Sequence, residues 1–259
     1  MLLKSLKKWF DSYTRRFDSP DPAVQNAMDL KREHTLCVCG NIVDIGCSLD
    51  LCADDLLAAE VSALLHDIGR FEQYSRYCTF SDAKSEDHAA LGVSVICTHE
   101  LLGEFVPETA QVIIEAVKFH NRAALPDSIN QHSLFFLKML RDADKLDIWR
   151  VVTSYYHKSG TDRDPAIELN LPDVPHISEK VYEALLRNQT VNTADIRSLN
   201  DLKLLQIGWI YDVNFSRTFE LIREKGYLEK LCSALPKECA RAQKICSKAC
   251  RYLSNKQGC

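Results

Sequence analysis

No run of apolar residues in this 259-residue chain approaches the ~18 needed to cross a bilayer; the longest, such as Leu134–Leu137, are soon cut by charge. The N-terminal segment Met1–Phe10 carries Lys4, Lys7 and Lys8 among its apolar positions, so it lacks the uninterrupted h-region and small-residue cleavage site of a secretory signal. Positive charge is not in excess either. Lys and Arg number 32 against 36 Asp and Glu, and a net charge of −4 gives no global attraction for nucleic acid. There is no internal repeat, and few stretches alternate with period two, which argues against a half-buried sheet. An apolar fraction of 46% and a charged fraction of 26% exclude a disordered chain, a collagen or a coiled-coil rod. The expectation is a soluble, cytoplasmic protein. Its eleven cysteines, odd in number and spread along the chain without a signal peptide, are expected to be reduced.

What is present is helical periodicity, with apolar residues recurring at i, i+3, i+4 and i+7. The chain is expected to be all-α. Leu2, Leu6, Trp9, Tyr13 and Phe17 lie on one stripe of a basic amphipathic helix at the N-terminus. Such a stripe usually docks on its own domain, and contact with a membrane surface is the alternative. After Pro20 and Pro22, helices are expected near 24–45, 54–68, 86–103, 107–120 and 133–158, then near 177–189, 199–225 and 237–252. Ser85 with Glu86 and Asp87 reads as an N-cap and acidic first turn, Pro107 as a helix-opening proline, and Gly69 as a C-terminal stop. Thr161–Pro175, with its prolines, reads as a long, lid-like loop. The expected organisation is an N-terminal helix (1–19), a catalytic domain (20–160), and a loop with a helical C-terminal extension packed on that domain (161–259).

The informative residues are ionisable groups on faces that should be apolar. His34 lies between Leu30 and Val38; His66 and Asp67 end the stripe Leu57, Val61, Leu64, Ile68; His88 shares a face with Leu91, Gly92 and Val95; His120 with Ile113, Ala116 and Val117; Asp144 with Leu137, Leu140 and Ile148. One buried imidazole or carboxylate is ordinarily satisfied by a neighbour, because leaving it bare costs several kcal/mol. Divalent metal accounts for all of these inward-facing groups together. Histidines and aspartates without cysteine do not resemble a closed structural zinc site. The set is too large for one tetrahedral ion and suits two, with Asp67 able to bridge ions ~3.5–4 Å apart. Adjacent residues on a helix point ~100° apart, so His66 and Asp67 reach one site only near a helix end.

The ordered series His34, His66-Asp67-Ile68-Gly69, His88 in Asp-His-Ala-Ala-Leu-Gly, His120 in Phe-His-Asn and Asp144 in Asp-Ala-Asp-Lys-Leu-Asp resembles the HD superfamily of metal-dependent phosphohydrolases over roughly residues 20–160. The resemblance implies an HD-domain helical bundle, one metal on His34, His66, Asp67 and Asp144, and a second ion supplied by His88 and His120. The phrasing Ala63-Leu-Leu-His-Asp-Ile-Gly-Arg-Phe-Glu-Gln, Thr79-Phe-Ser-Asp and Arg141-Asp-Ala-Asp-Lys-Leu-Asp-Ile-Trp is similar to a bacterial branch of HD-domain proteins. The two-metal pattern is also similar to HD-type diadenosine tetraphosphate hydrolases. It departs from the cyclic-dinucleotide phosphodiesterases of the HD-GYP group, since no Gly-Tyr-Pro follows.

The expected activity is hydrolysis of a phosphate ester or anhydride of a small substrate, a nucleotide by preference, by a metal-activated water. Asp67 bridges the ions and helps position the nucleophile. Arg70, Arg141 and Lys145 are candidates to meet phosphate oxygens, with Asn121 as a further donor. Arg70 is the strongest of these; Arg141 shares the Asp144 face but could equally form a salt bridge, Lys145 points ~100° away toward solvent, and Asn121 could instead cap its helix. Asp142 and Asp147 are expected to face away, and His99, His132, His157 and His176 to be surface or structural residues. Iron, manganese, cobalt, nickel and zinc all suit the ligands. Alternatives are an HD-fold di-iron oxygenase and a non-catalytic nucleotide-sensing protein. Cys232, Cys239, Cys246 and Cys250 fall at helical spacing and read as an apolar contact stripe, with a metal or cluster site as the alternative.

Overall fold

The computed structural model describes residues 1–123, 125–126, 128–158 and 164–256. Every regular element among the described residues is helical, as expected, and none of these helices is long and apolar enough to cross a membrane. Chain contacts define two compact units, Met1–Asp147 and Ile148–Cys259. The division falls inside a long helix, whereas the sequence reading set one at 160/161.

In the first unit, α1 (Leu2–Thr14) turns Leu6, Phe10 and Tyr13 inward. Phe10 meets the edge of Phe71 at 6.0 Å and Lys7 pairs with Glu60 at 2.6 Å, so the apolar stripe is used within its own unit. The helix α2 (Pro22–Ser48) opens on Asp21, whose carboxylate accepts from the Ala23 N–H at 2.8 Å. Pro22 stands at its first turn, where a missing N–H leaves no bond unmade. Next come α3 (Ala53–Leu65), α4 (Gly69–Tyr77), α5 (His88–Thr98), α6 (Pro107–Phe119) and α7 (Gln131–Tyr156). Packing of α3 against α2, α6 and α1, and of α5 against α4 and α6, encloses Ile42, Leu64, Ile68, Phe71, Ile113 and Val117. Each such side chain contributes about 1.5–3 kcal/mol on leaving water. Asn41 on α2 donates to the Ala143 carbonyl at 3.0 Å and so ties α7 alongside α2.

Two helix boundaries differ from those expected. Gly69 does not end a helix; it begins α4, because its backbone lies against α5 so closely that an added Cβ would stand 2.2 Å from the His88 carbonyl oxygen and 2.5 Å from the Gly92 nitrogen. The N-cap of α5 is Asp87, not Ser85: its carboxylate accepts from the Ala89 N–H at 3.0 Å. Pro107 opens α6 as expected.

The second unit takes the end of α7 and adds α8 (Pro165–Glu168), α9 (Glu179–Leu186), α10 (Leu199–Gly208), α11 (Ser216–Lys225), α12 (Tyr227–Ser233) and α13 (Ala240–Asn255). Trp149 is fully buried and donates to the Gln206 carbonyl at 2.9 Å, while buried Asp201 accepts from the Ser178 amide and hydroxyl at 2.8 and 2.6 Å. The expected helix 199–225 is broken by a 3-10 turn at Trp209–Asp212. Gly226, at φ 63°, supplies the left-handed residue between α11 and α12. Of the expected loop 161–175, residues 161–163 lie outside the described residues and Pro165–Glu168 is helical.

The cysteines require a further correction. Cys232 and Cys246 form a disulfide, with Cα atoms 5.8 Å apart, so not every thiol is reduced. Nor do the C-terminal cysteines share one helical face. The chain leaves α12 at Ser233, turns at Leu235–Pro236 and re-enters helix at Ala240, so Cys232 and Cys246 meet from different helices.

Candidate metal centre

Three helices, α2, α5 and α7, and the C-terminal ends of two more, α3 and α6, bring the predicted residues of the first unit together. His34 projects from the buried side of α2, and Asp144 from α7. His66 and Asp67 occupy the tight turn between α3 and α4, where the change of axis lets neighbouring side chains converge. His88 is the first residue of α5, and His120 directly follows α6.

Two groups of atoms result. Asp67 Oδ2 lies 3.6 Å from both His34 Nε2 and His66 Nε2, and Asp144 Oδ1 lies 3.1 Å from the former and 3.9 Å from the latter. Asp67 Oδ1 lies 3.3 Å from His88 Nε2 and 3.8 Å from His120 Nε2, and these two nitrogens are 3.0 Å apart. Such spacings approach the ~3.0–3.4 Å between ligand atoms around an ion with bonds of ~2.1 Å. The carboxylate of Asp67 thus turns one oxygen to each group.

All four imidazoles are oriented the same way. His66 and His120 donate from Nδ1 to the Ala63 and Val117 carbonyls, each at 2.7 Å; a carbonyl can only accept, so the proton is on Nδ1. His34 Nδ1 meets Asp147 Oδ2 at 2.7 Å, and His88 Nδ1 meets Asp82 Oδ2 at 2.8 Å. Every Nε2 lone pair is therefore presented to the interior. The Nε2 atoms of His34 and His66 are buried with no hydrogen-bond partner, and those of His88 and His120 face one another. Acceptors turned toward acceptors in a buried space call for a cation, and carboxylate support behind imidazole is how metal-ligating histidines are held. The residues fit a divalent metal.

The electrostatics agree. Burial lowers His66 to about 4 and His88 to about 3, so both are neutral, as ligands must be. Burial and Lys31 also push His34 down, but the Asp144 and Asp147 carboxylates outweigh them and raise it. Burial opposes ionisation of Asp67 and Asp144, yet both stay well below the ordinary carboxylate range: Lys31 and His66 hold Asp67 there, and His34 and His66 hold Asp144. Asp82 is likewise lowered against burial, chiefly by His88.

The surrounding side chains sort the remaining candidates. Arg70 reaches Asp67 Oδ1 from Nε at 3.4 Å, and its Nη1 donates to Gln73 Oε1 at 2.9 Å, Asp82 Oδ1 at 3.0 Å and the Phe80 carbonyl. Arg141 donates to the His120 and Arg122 carbonyls at 3.0 and 2.6 Å, which fixes the end of α6. Asn121 donates to Asp87 at 2.9 Å and Asp82 at 3.2 Å. Lys145 is buried rather than solvated and approaches the Arg141 carbonyl at 3.4 Å. Asp147 does not face away; it is the buried support of His34. Asp142 is buried as well. Lys31 is the residue that the sequence did not single out, while Gln73 and Asp82 stood only inside quoted motifs with no role assigned. Asp82, Asp87 and His88 also cluster at metal-ligand spacing, but Asp87 is engaged by the α5 cap, Asn121 and Arg122, and His88 Nδ1 by Asp82, so this group anchors His88.

An all-helical unit with a buried histidine–aspartate cluster compatible with a metal site is the class this geometry defines. The HD domain family model matches residues 32–195, well over half of the chain, and the chain belongs to that family. Membership places it in a superfamily of metal-dependent hydrolases. No curated protein and no solved structure matches it.

Proposed function

We propose that the protein is a phosphohydrolase that uses two divalent cations, one held by His34, His66, Asp67 and Asp144 and the other by Asp67, His88 and His120. The observation that carries this reading is the common orientation of the four imidazoles, each Nδ1 engaged and each Nε2 turned to an oxygen of Asp67. Divalent cations in such a site lower the pKa of water toward neutrality and polarise phosphoryl oxygen. The chain's own groups do the rest. Asp147, Asp82 and the Ala63 and Val117 carbonyls fix the imidazoles. Arg70 offers positive charge beside Asp67 for the transferred phosphoryl group, while Arg141 and Asn121 hold the segment around His120. The substrate is a phosphate ester or anhydride, with nucleotides as the first class to screen.

The test is elemental analysis of purified protein followed by a chromatographic screen for hydrolysis products, run with and without oxygen, over nucleotides, dinucleoside polyphosphates and cyclic nucleotides. Two equivalents of metal and a substrate hydrolysed without oxygen are expected. Products formed only with oxygen and none by hydrolysis, or retention of a nucleotide without turnover, would overturn the hydrolytic reading.

A further inference from the structure

We infer that Lys31 is a phosphate-positioning residue of this centre, an assignment that rests on the phosphohydrolase reading. Its ammonium lies 2.7 Å from Asp67 Oδ2, the oxygen turned toward His34 and His66. Lys31 stands three residues before His34 on α2, so the face that delivers the imidazole delivers a cation with it. The Lys31 Nζ is 5.3 Å from the centre of the Phe80 ring, and the Phe80 carbonyl accepts from Arg70. One short segment therefore braces two cations, Lys31 beside Oδ2 of Asp67 and Arg70 beside Oδ1.

Exposure shows which groups an incoming solute meets. The side chains of Asp67 and the four histidines are 5% exposed or less, whereas Lys31, Arg70 and Asp144 are 18%, 16% and 19% exposed. Two of these three rim groups are cationic. Arg70 has Nη1 committed to three acceptors around Asp82. Lys31 has three N–H donors and gives one to Asp67, so it retains donors for the non-bridging oxygens of a phosphoryl group. An ammonium binds phosphate as a point charge without demanding bidentate geometry, which suits a group that must also accommodate metal beside it.

The experiment titrates inorganic phosphate into manganese-loaded wild-type protein, Lys31→Met, Lys31→Gln and Lys31→Arg by calorimetry, with manganese content measured on the same samples. Both uncharged variants are expected to hold wild-type manganese while the phosphate Kd rises about tenfold or more; Lys31→Arg should stay within about threefold. An uncharged variant with wild-type manganese and wild-type phosphate affinity overturns the assignment. Loss of manganese in both uncharged variants also overturns it, since Lys31 would then serve only to hold Asp67. A wild-type protein that takes up no manganese or other divalent ion defeats the metal-centre reading itself, a separate result from failure at Lys31.

Discussion

Asp147 Oδ2 lies 2.7 Å from His34 Nδ1, and both residues are buried. The contact sets the tautomer of His34 and increases the basicity of the nitrogen it turns inward. Asp147→Ala is expected to weaken metal binding about 10–100-fold in competition dialysis, and Asp147→Asn, whose carbonyl can still accept from Nδ1, to weaken it less. Equal affinity in Asp147→Ala and wild type would mean the carboxylate does no such work.

His66 and Asp67 stand in the turn between α3 and α4, where Asp67 faces both groups of atoms. Replacing either with Ala should abolish metal retention and hydrolysis together. Retention of both properties by either purified variant would refute their assignment as ligands.

Asp82 supports His88 alone among the imidazoles, at 2.9 and 2.8 Å from its two oxygens. Asp82→Ala should therefore reduce tightly held metal from about two equivalents to about one, leaving the His34 group loaded. Unchanged stoichiometry under a competing chelator would count against two separate positions.

Acid should destabilise the metal-free protein. Burial holds His66 at about 4 and His88 at about 3, against 6.5 for the ordinary group, so below pH 6.5 the unfolded chain binds more protons at these two sites than the folded one. Stability then falls as pH drops from 6.5 toward those folded values. His34 runs the other way: its pKa is raised, so its contribution is present below 6.5 and lost as pH rises through the folded value. With two groups opposing one, the Tm of chelator-treated protein should decline from pH 7 to pH 4, and His88→Gln should flatten the slope. A Tm that climbs toward pH 4 would contradict this balance.

At Gly69 an added Cβ meets backbone, not a side chain that could swing aside. Gly69→Ala should lower stability by about 1–3 kcal/mol or more, measured by denaturant unfolding, as α4 is forced away from α5. A substitution without cost would show that the contact relaxes freely.

The all-helical class and the convergence of His34, His66, Asp67, His88, His120 and Asp144 were legible because each residue interrupts an apolar face at helical spacing. Their supports were harder to read. Asp147 lies three residues beyond Asp144 and Lys31 three before His34, so both share the relevant faces, but a lone charge there reads equally as solvated. Asp82 opens a three-residue 3-10 turn, too short for periodicity to expose it. The Cys232–Cys246 pair was hidden because the helical spacing of the cysteines suggested a shared face, although Cys232 precedes the helix expected near 237–252 and the chain turns between them. Gly69 read as a terminator because sequence does not reveal which backbone will press against it.

That close approach of α4 to α5 has an architectural consequence. The separation between the His66-Asp67 turn and His88 is dictated by main chain abutting main chain, not by rotamers of long side chains. Exchanging outlying residues can retune charge and access, but the gauge of the centre changes only if the helices themselves are respaced.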